Sequence, residues 1–156
     1  MDLTIDGSAE GATRRKYTGR VAKRILVSED DDDTREFVVS GLLEDGHEVI
    51  GVGDGAQLAE CLDIIARDSL RPPDLIAMDH HMPGRTGLEL LEELRTSGVT
   101  TPVVVMTAFL SRDVRARVER AGRAAAIAKP FNLLELRAAA LRASATKKPS
   151  SGPAPY

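Results

Sequence analysis

Five side chains suited to phosphoryl chemistry stand at the ends of apolar runs in this chain. Glu29 and Asp30 close "RILVSED", Asp79 closes "DLIAMD", Thr107 closes "PVVVMT" and Lys129 follows "RAAAIA". Three carboxylates gathered at one edge repel one another: at ~5 Å and an effective dielectric near 20, each pair costs roughly 3 kcal/mol. A cation therefore belongs among them. Oxygen-only donors, carboxylates plus a backbone carbonyl, suit a hard octahedral ion that keeps several waters, which means Mg²⁺ or Mn²⁺ rather than Zn²⁺. Lys129 would add a fixed positive charge and Thr107 a neutral hydroxyl. A metal, an ammonium and a hydroxyl around one carboxylate form a clamp for a phosphoryl group, with the carboxylate as nucleophile.

Such a clamp requires that the runs be strands whose carboxyl ends meet. Between Arg24 and Ala143, short apolar runs alternate with segments of helical period. "RILV" is followed by "DTREFVVSGLLEDG", where Phe37, Val38, Gly41 and Leu42 share a face and Gly46 ends the helix. "HEVIGV" precedes the helix "AQLAECLDIIAR", and "DLIAMD" precedes "GLELLEELRTSG", with Leu88, Leu91 and Leu94 inward. "PVVVMT" starts on a Pro, where a missing donor is tolerated, and the helix after it begins near Ser111 and stops at Gly122. "NLLELRAAALRA" is the last helix, capped by Asn132 with Glu135 as reciprocal partner. "RAAAIA" favours helix by propensity, but Gly122 and Pro130 leave room for only a short element, so the alternation makes it the fifth strand. Continuous apolar strands, each followed by a helix, give an α/β fold: a doubly wound five-stranded parallel sheet with helices on both faces. In such sheets ligands bind beyond the carboxyl ends of the strands, beside the switch in strand order.

The chain has 156 residues, of which 42% are hydrophobic and 29% charged, with a net charge of −3. That is one domain with enough apolar residues for a core. The single cysteine, Cys61, excludes an internal disulfide framework and reads as part of a helix face. No segment approaches the ~20 apolar residues of a membrane span and the amino terminus lacks the apolar core of a signal peptide, so the expected setting is cytoplasmic, without a membrane partner. Residues 1–22 and 144–156 read as a disordered leader and tail flanking a domain over 23–143. The basic cluster from Arg14 to Arg24 carries one aromatic and no recognition motif, which favours a solvated leader over a nucleic-acid contact.

"RILVSED", "PDLIAMDHHMPGRTGLELL", "TPVVVMTA" and "AGRAAAIAKPF" resemble the successive signature blocks of the response-regulator receiver domain of two-component signalling. The resemblance covers about residues 23–143, and the D-x-x-M-P-G-x-x-G block with Thr and Lys-Pro in later register is its most specific part. It implies the flavodoxin-like receiver fold, with Asp79 as the aspartate phosphorylated by a histidine kinase or histidine phosphotransfer protein. It further implies that Glu29, Asp30, Asp79 and the backbone carbonyl of His81 hold Mg²⁺, that Thr107 and Lys129 bind the phosphoryl oxygens, and that the Lys129-Pro130 bond is cis. Of the acid run, only Glu29 and Asp30 then face the metal. Asp31, Asp32 and Asp33 fall in the loop and first helical turn, where negative charge complements the helix dipole.

Two departures qualify what the resemblance implies. Glu29 stands where the family usually has the shorter Asp, and Ala126 stands where it has an aromatic that turns inward when the threonine moves. Readout without that ring is expected to shift the segment from Thr107 to Arg115, including Phe109. "DHH" also occurs in metal-dependent phosphoesterases, but such a site needs further His and Asp clusters, and the remaining histidine, His47, belongs to the start of the second strand. His80 reads as a loop residue and His81 as a neighbour of the phosphoryl group. The arginine-rich helix "RDVRARVERAG" offers either a basic docking face or a solvated one.

Two function classes follow. One is a phosphoacceptor switch, which catalyses only its own phosphoryl transfer and dephosphorylation and acts on a downstream target protein. The other is a degenerate receiver serving as a constitutive, phosphorylation-independent interaction module. The residues after 143 are too few and polar for an output or DNA-binding domain, so action through protein contact is expected. Dependence of partner affinity on Asp79 separates the two.

Overall fold

In the computed structural model, residues 21–67 and 71–146 are described. Most of the leader and tail, residues 1–20 and 147–156, therefore lies outside the described residues. Five strands, β1 (Arg24–Ser28), β2 (Glu48–Val52), β3 (Leu75–Asp79), β4 (Val103–Thr107) and β5 (Ala124–Ala128), alternate with five helices. The helices are α1 (Asp32–Glu44), α2 (Gly55–Arg67), α3 (Gly87–Thr96), α4 (Arg112–Ala121) and α5 (Leu133–Ala145). All strand pairs are parallel, in the order β2-β1-β3-β4-β5. The order therefore reverses at β1, and the crevice at the carboxyl ends of β1 and β3 is the place for a ligand.

Burial follows from position in the sheet. Every residue of β3 and β4 is buried, as central strands covered on both faces require, whereas edge strand β2 is largely exposed. Alternate residues of the central strands feed two cores. One packs Leu26, Ile76, Met78 and Val105 against α2, α3 and α4, and the other packs Val27, Ala77, Val104 and Met106 against α1 and α5. "RAAAIA" is indeed a strand: Ala124 and Ala125 are buried and pair with Val103 and Val104. Pairing along the whole of β4 outweighs the helical propensity of alanine.

Local signals set the helix ends. Asp31, Thr86, Ser111 and Asn132 are N-caps whose side chains accept backbone N–H groups. The complete reciprocal box forms at α3, between Thr86 and Glu89, rather than at α5, where the bond present is that from Glu135 N to Asn132. Gly46 follows α1 with φ 87°, as its role as a stop requires. α5 runs to Ala145, two residues past the expected end of the domain. Phe37 departs from the expected inward face: it is 46% exposed, while Val38, Gly41 and Leu42 are buried. It sits one position off the buried stripe and borders a surface cavity of about 450 Å³ with Pro130, Phe131 and Lys129. Cys61 is partly buried against the core. Among the described residues, no helix is long and apolar enough to cross a membrane.

Candidate functional site

The carboxyl ends of β1, β3, β4 and β5 bring the expected residues together. Glu29, Asp30 and Asp79 each place a carboxylate oxygen within 4.8 Å of the others, at the switch in strand order. Glu29 directly follows β1, is fully buried, and is held at its backbone by a bond from its N–H to Val52 O (3.1 Å). Its Oε2 accepts from Lys129 Nζ at 2.7 Å, and its Oε1 accepts from Asp31 N at 3.2 Å. Asp30 is the exposed member of the cluster. Asp79, 3% exposed, ends β3 and meets Lys129 Nζ at 3.2 Å through Oδ2, while Oδ1 accepts from His81 N at 3.2 Å.

Lys129 is thus the internal counter-ion, reaching 2.7 Å to Glu29 and 3.2 Å to Asp79. Burial works against its charge, but the hydrogen bond to Glu29 and the charges of Asp79 and Glu29 outweigh that and raise its pKa above the ordinary lysine value. One ammonium does not balance three carboxylates. Burial pushes Glu29 up to about 7 with help from the Asp79 charge, against the opposing hydrogen bonds from Lys129 and Asp31 N. Asp30 moves the other way: burial is the largest single effect and raises it, but hydrogen bonding within the cluster and the charge of Lys129 together outweigh burial and hold it below the usual carboxylate range. A divalent cation among the three carboxylates would oppose the effect of burial on Glu29 and favour its ionised form. Three converging hard oxygen donors, one of them buried and raised in pKa, fit Mg²⁺ or Mn²⁺.

The backbone around Asp79 is tightly constrained. His80 N donates to Met106 O at 2.7 Å, and Gly87 N donates to His80 O at 2.8 Å. A Cβ on Gly87 would lie 2.7 Å from Asp79 O, so only glycine lets α3 begin this close to the strand end. The His80 ring is partly buried and burial lowers its pKa; Nδ1 has no hydrogen-bond partner among the described residues. The exposed His81 ring lies 4.8 Å from it, and the His81 backbone forms an isolated antiparallel bridge with Thr86.

Thr107 is fully buried at the end of β4, level with Ala128 in the sheet, but its hydroxyl is engaged with the following loop. Oγ1 accepts from Phe109 N and donates to Phe109 O, both at 3.2 Å. Thr107 O accepts from Lys129 N at 2.7 Å, which ties the ends of β4 and β5 together, and the Lys129-Pro130 peptide is cis. Ala126 pairs with Val105 and packs partly buried against the core that includes Leu110, while Phe109 is 75% exposed.

The remaining acids of the run serve the start of α1. Asp31 is its N-cap, accepting from Thr34 N at 2.8 Å and from Thr34 Oγ1 at 2.6 Å, and Asp32 and Asp33 lie in its first turn. His47 sits at the opposite pole, accepting from Lys23 N at 3.1 Å. In the arginine-rich α4, Arg117 is bound to Glu92 of α3 at 2.7 Å rather than free as part of a basic face. Two contacts were not foreseeable from residue types: the Gly87 approach, for which the glycine of the D-x-x-M-P-G-x-x-G block was the available signal, and a bond from Arg35 Nη1 to Glu29 O at 2.7 Å.

Known proteins share this sequence pattern and fold. Residues 25–141 match the family described as the response regulator receiver domain. The chain is 36% identical over 117 residues to the transcriptional regulatory protein PdtaR of Mycobacterium tuberculosis, covering 74% of this chain and 54% of that protein. It is 35% identical over 120 residues to the sensory/regulatory protein RpfC of Xanthomonas campestris, covering 74% of this chain and 16% of that one. The chain thus spans about half or less of these relatives. Among solved structures, the receiver domain of the Francisella response regulator 1452 superposes with a TM-score of 0.64 at 28% identity, covering 78% of this chain and 93% of that one. The chemotaxis response regulator CheY4 of Vibrio cholerae gives 0.63 at 25% identity, covering 79% and 99%.

Proposed function

The chain belongs to the response-regulator receiver domain family of two-component signalling, and from that premise we propose that it is a phosphoacceptor switch phosphorylated on Asp79. The observation that carries the reading is the convergence of Glu29, Asp30, Asp79 and Lys129 in one cluster at the switch in strand order.

In this reading the donor is a phosphohistidine of a histidine kinase or a histidine phosphotransfer protein. A carboxylate oxygen of Asp79 forms a bond to phosphorus as the N–P bond of the donor breaks, and the leaving imidazole keeps the electron pair and takes a proton from solvent. Asp79 suits the role because its carboxylate is fixed from two sides, by Lys129 Nζ and by His81 N, before any donor arrives. Glu29, Asp30, Asp79 and the His81 carbonyl are the residues that would hold Mg²⁺, which supplies positive charge for the phosphoryl oxygens. Lys129 would exchange part of its contact with Asp79 for a phosphoryl oxygen, and Glu29 would keep the ammonium in place. For the Thr107 hydroxyl to donate to the phosphoryl group, it must withdraw its hydrogen from Phe109 O, and this loosens the loop ahead of α4. The resulting equilibrium between two loop positions, read by a downstream protein, is the signal. On this account the protein catalyses only its own phosphorylation and dephosphorylation.

Phosphoramidate, a small donor with an N–P bond, tests the reading. With Mg²⁺, ³¹P NMR is expected to show an acyl phosphate resonance in the native protein and none in Asp79→Asn. Equal labelling of both proteins, or of neither, would contradict it.

A further inference from the structure

The acid run is followed at one helical turn by Arg35, which none of the proposed chemistry uses, yet its side chain turns back to the site. Nη1 donates to the backbone carbonyl of Glu29 at 2.7 Å, and Nη2 donates to Asp32 Oδ1 at 2.5 Å. The side chain crosses the carboxyl end of β2 beside Gly51 and Gly53: a Cβ on either would stand in ordinary contact with it, 3.5 Å from Arg35 Cδ and 3.5 Å from Nη1. The Glu29 carbonyl belongs to the peptide joining Glu29 to Asp30, from which both carboxylates of the pair diverge. The N–H of Glu29 is already fixed on Val52 O at 3.1 Å, so the guanidinium supplies the second anchor. The two bonds hold the peptides on either side of the Glu29 Cα, the second of them leading to Asp30, and hence restrain the directions of the two acids.

The geometry points to Arg35 as a positioning residue for the Glu29–Asp30 pair, one that sets how tightly the site takes up a divalent cation. The inference rests on the metal-assisted phosphoacceptor reading above. The planar fork puts one N–H on the Glu29 carbonyl and another, from a different nitrogen, on the Asp32 carboxylate, a fixed two-nitrogen geometry that the single Nζ of a lysine does not reproduce. Outer-shell partners of this kind typically change metal affinity 10- to 100-fold when removed.

Positioning and simple charge make opposite predictions. Arg35 is a cation beside the cluster, so its loss by charge alone would tighten Mg²⁺ binding, and Arg35→Lys would change nothing. If Arg35 positions the pair, both Arg35→Gln and Arg35→Lys weaken binding about tenfold, whereas Asp32→Asn, which leaves the carbonyl contact intact, stays within about twofold. Titration calorimetry with Mg²⁺ alone on the full chain decides between them, with thermal melts confirming folded protein and Arg35→Lys deciding if Arg35→Gln does not fold. In the metal-free protein, the amide signals of Asp30 and Asp31 are expected to move in both Arg35 variants. An Mg²⁺ Kd in either Arg35 variant equal to or below that of the native chain overturns the role of Arg35 and leaves the phosphoacceptor reading standing. Failure of the native chain itself to bind Mg²⁺ removes both.

Discussion

Replacing Gly87 by alanine places one methyl group against the backbone of the proposed phosphoacceptor. The new Cβ would lie 2.7 Å from Asp79 O, 3.0 Å from His80 Cα and 3.2 Å from Asp79 C, where ordinary contact begins at 3.4 Å. None of these atoms belongs to a flexible side chain, so α3 and the end of β3 must separate by roughly 0.7 Å. The region has little freedom to yield, because Gly87 N is bonded to His80 O at 2.8 Å and His80 N to Met106 O at 2.7 Å. Overpacking of this kind costs about 1–3 kcal/mol, and the better helix propensity of alanine returns less than ~1 kcal/mol. Urea unfolding is therefore expected to show a net loss of about 1–2 kcal/mol with an unchanged m-value. Displacement near 1 Å from reactive geometry costs up to about 100-fold in rate, so phosphorylation by acetyl phosphate should slow at least tenfold while the protein remains folded. Native stability together with a native phosphorylation rate in Gly87→Ala would refute the claim that close approach of α3 fixes Asp79.

Further outcomes follow from other contacts. Glu29, raised from 4.5 to about 7 in the metal-free protein, must be ionised to serve a cation, so Mg²⁺ affinity should rise with pH up to about 7 and level off above it. The sign for stability is the reverse: a raised acid makes the metal-free fold lose stability as pH climbs from 4.5 to about 7, so the gain in Tm on adding Mg²⁺ should be larger at pH 8 than at pH 6 and should lose this dependence in Glu29→Gln. Arg95 donates to four backbone carbonyls, Gly122 O, Val99 O, Thr101 O and Arg123 O, at 2.8–3.1 Å. Arg95→Ala should therefore cost about 3 kcal/mol in chemical unfolding without changing Mg²⁺ affinity. Amide shifts on phosphorylation should be concentrated between Thr107 and Arg115, and Thr107→Val, which cannot hold Phe109, should move the same signals without phosphate.

Much of the scaffold was readable before any coordinates, because burial in a parallel sheet imposes continuous apolar runs and Gly, Ser and Asn mark the helix ends. The fifth strand was recoverable only from its neighbours: its alanines argue for helix, and pairing with β4 decides otherwise. The positions of Glu29, Asp30, Asp79, Thr107 and Lys129 were likewise readable, since each ends an apolar strand or lies within two residues of its end. What those side chains do in the absence of phosphate was not. Strand periodicity places Thr107 at the site edge but does not say that its hydroxyl turns to Phe109. Phe37 adjoins the apolar stripe and so reads as inward, yet one helical position is about 100° of rotation, enough to move it to the surface. Arg35 and Arg95 bind backbone carbonyls, and backbone acceptors carry no residue-specific signal in a sequence.

The central claim is that Asp79 accepts a phosphoryl group. Intact mass after incubation with acetyl phosphate and Mg²⁺ tests it on the native chain and on Asp79→Asn. A gain of about 80 Da, the mass of one phosphoryl unit replacing a proton, in the native chain alone is the predicted result. No gain in a folded native chain with an active donor would contradict the account and leave binding that does not depend on phosphate as the function.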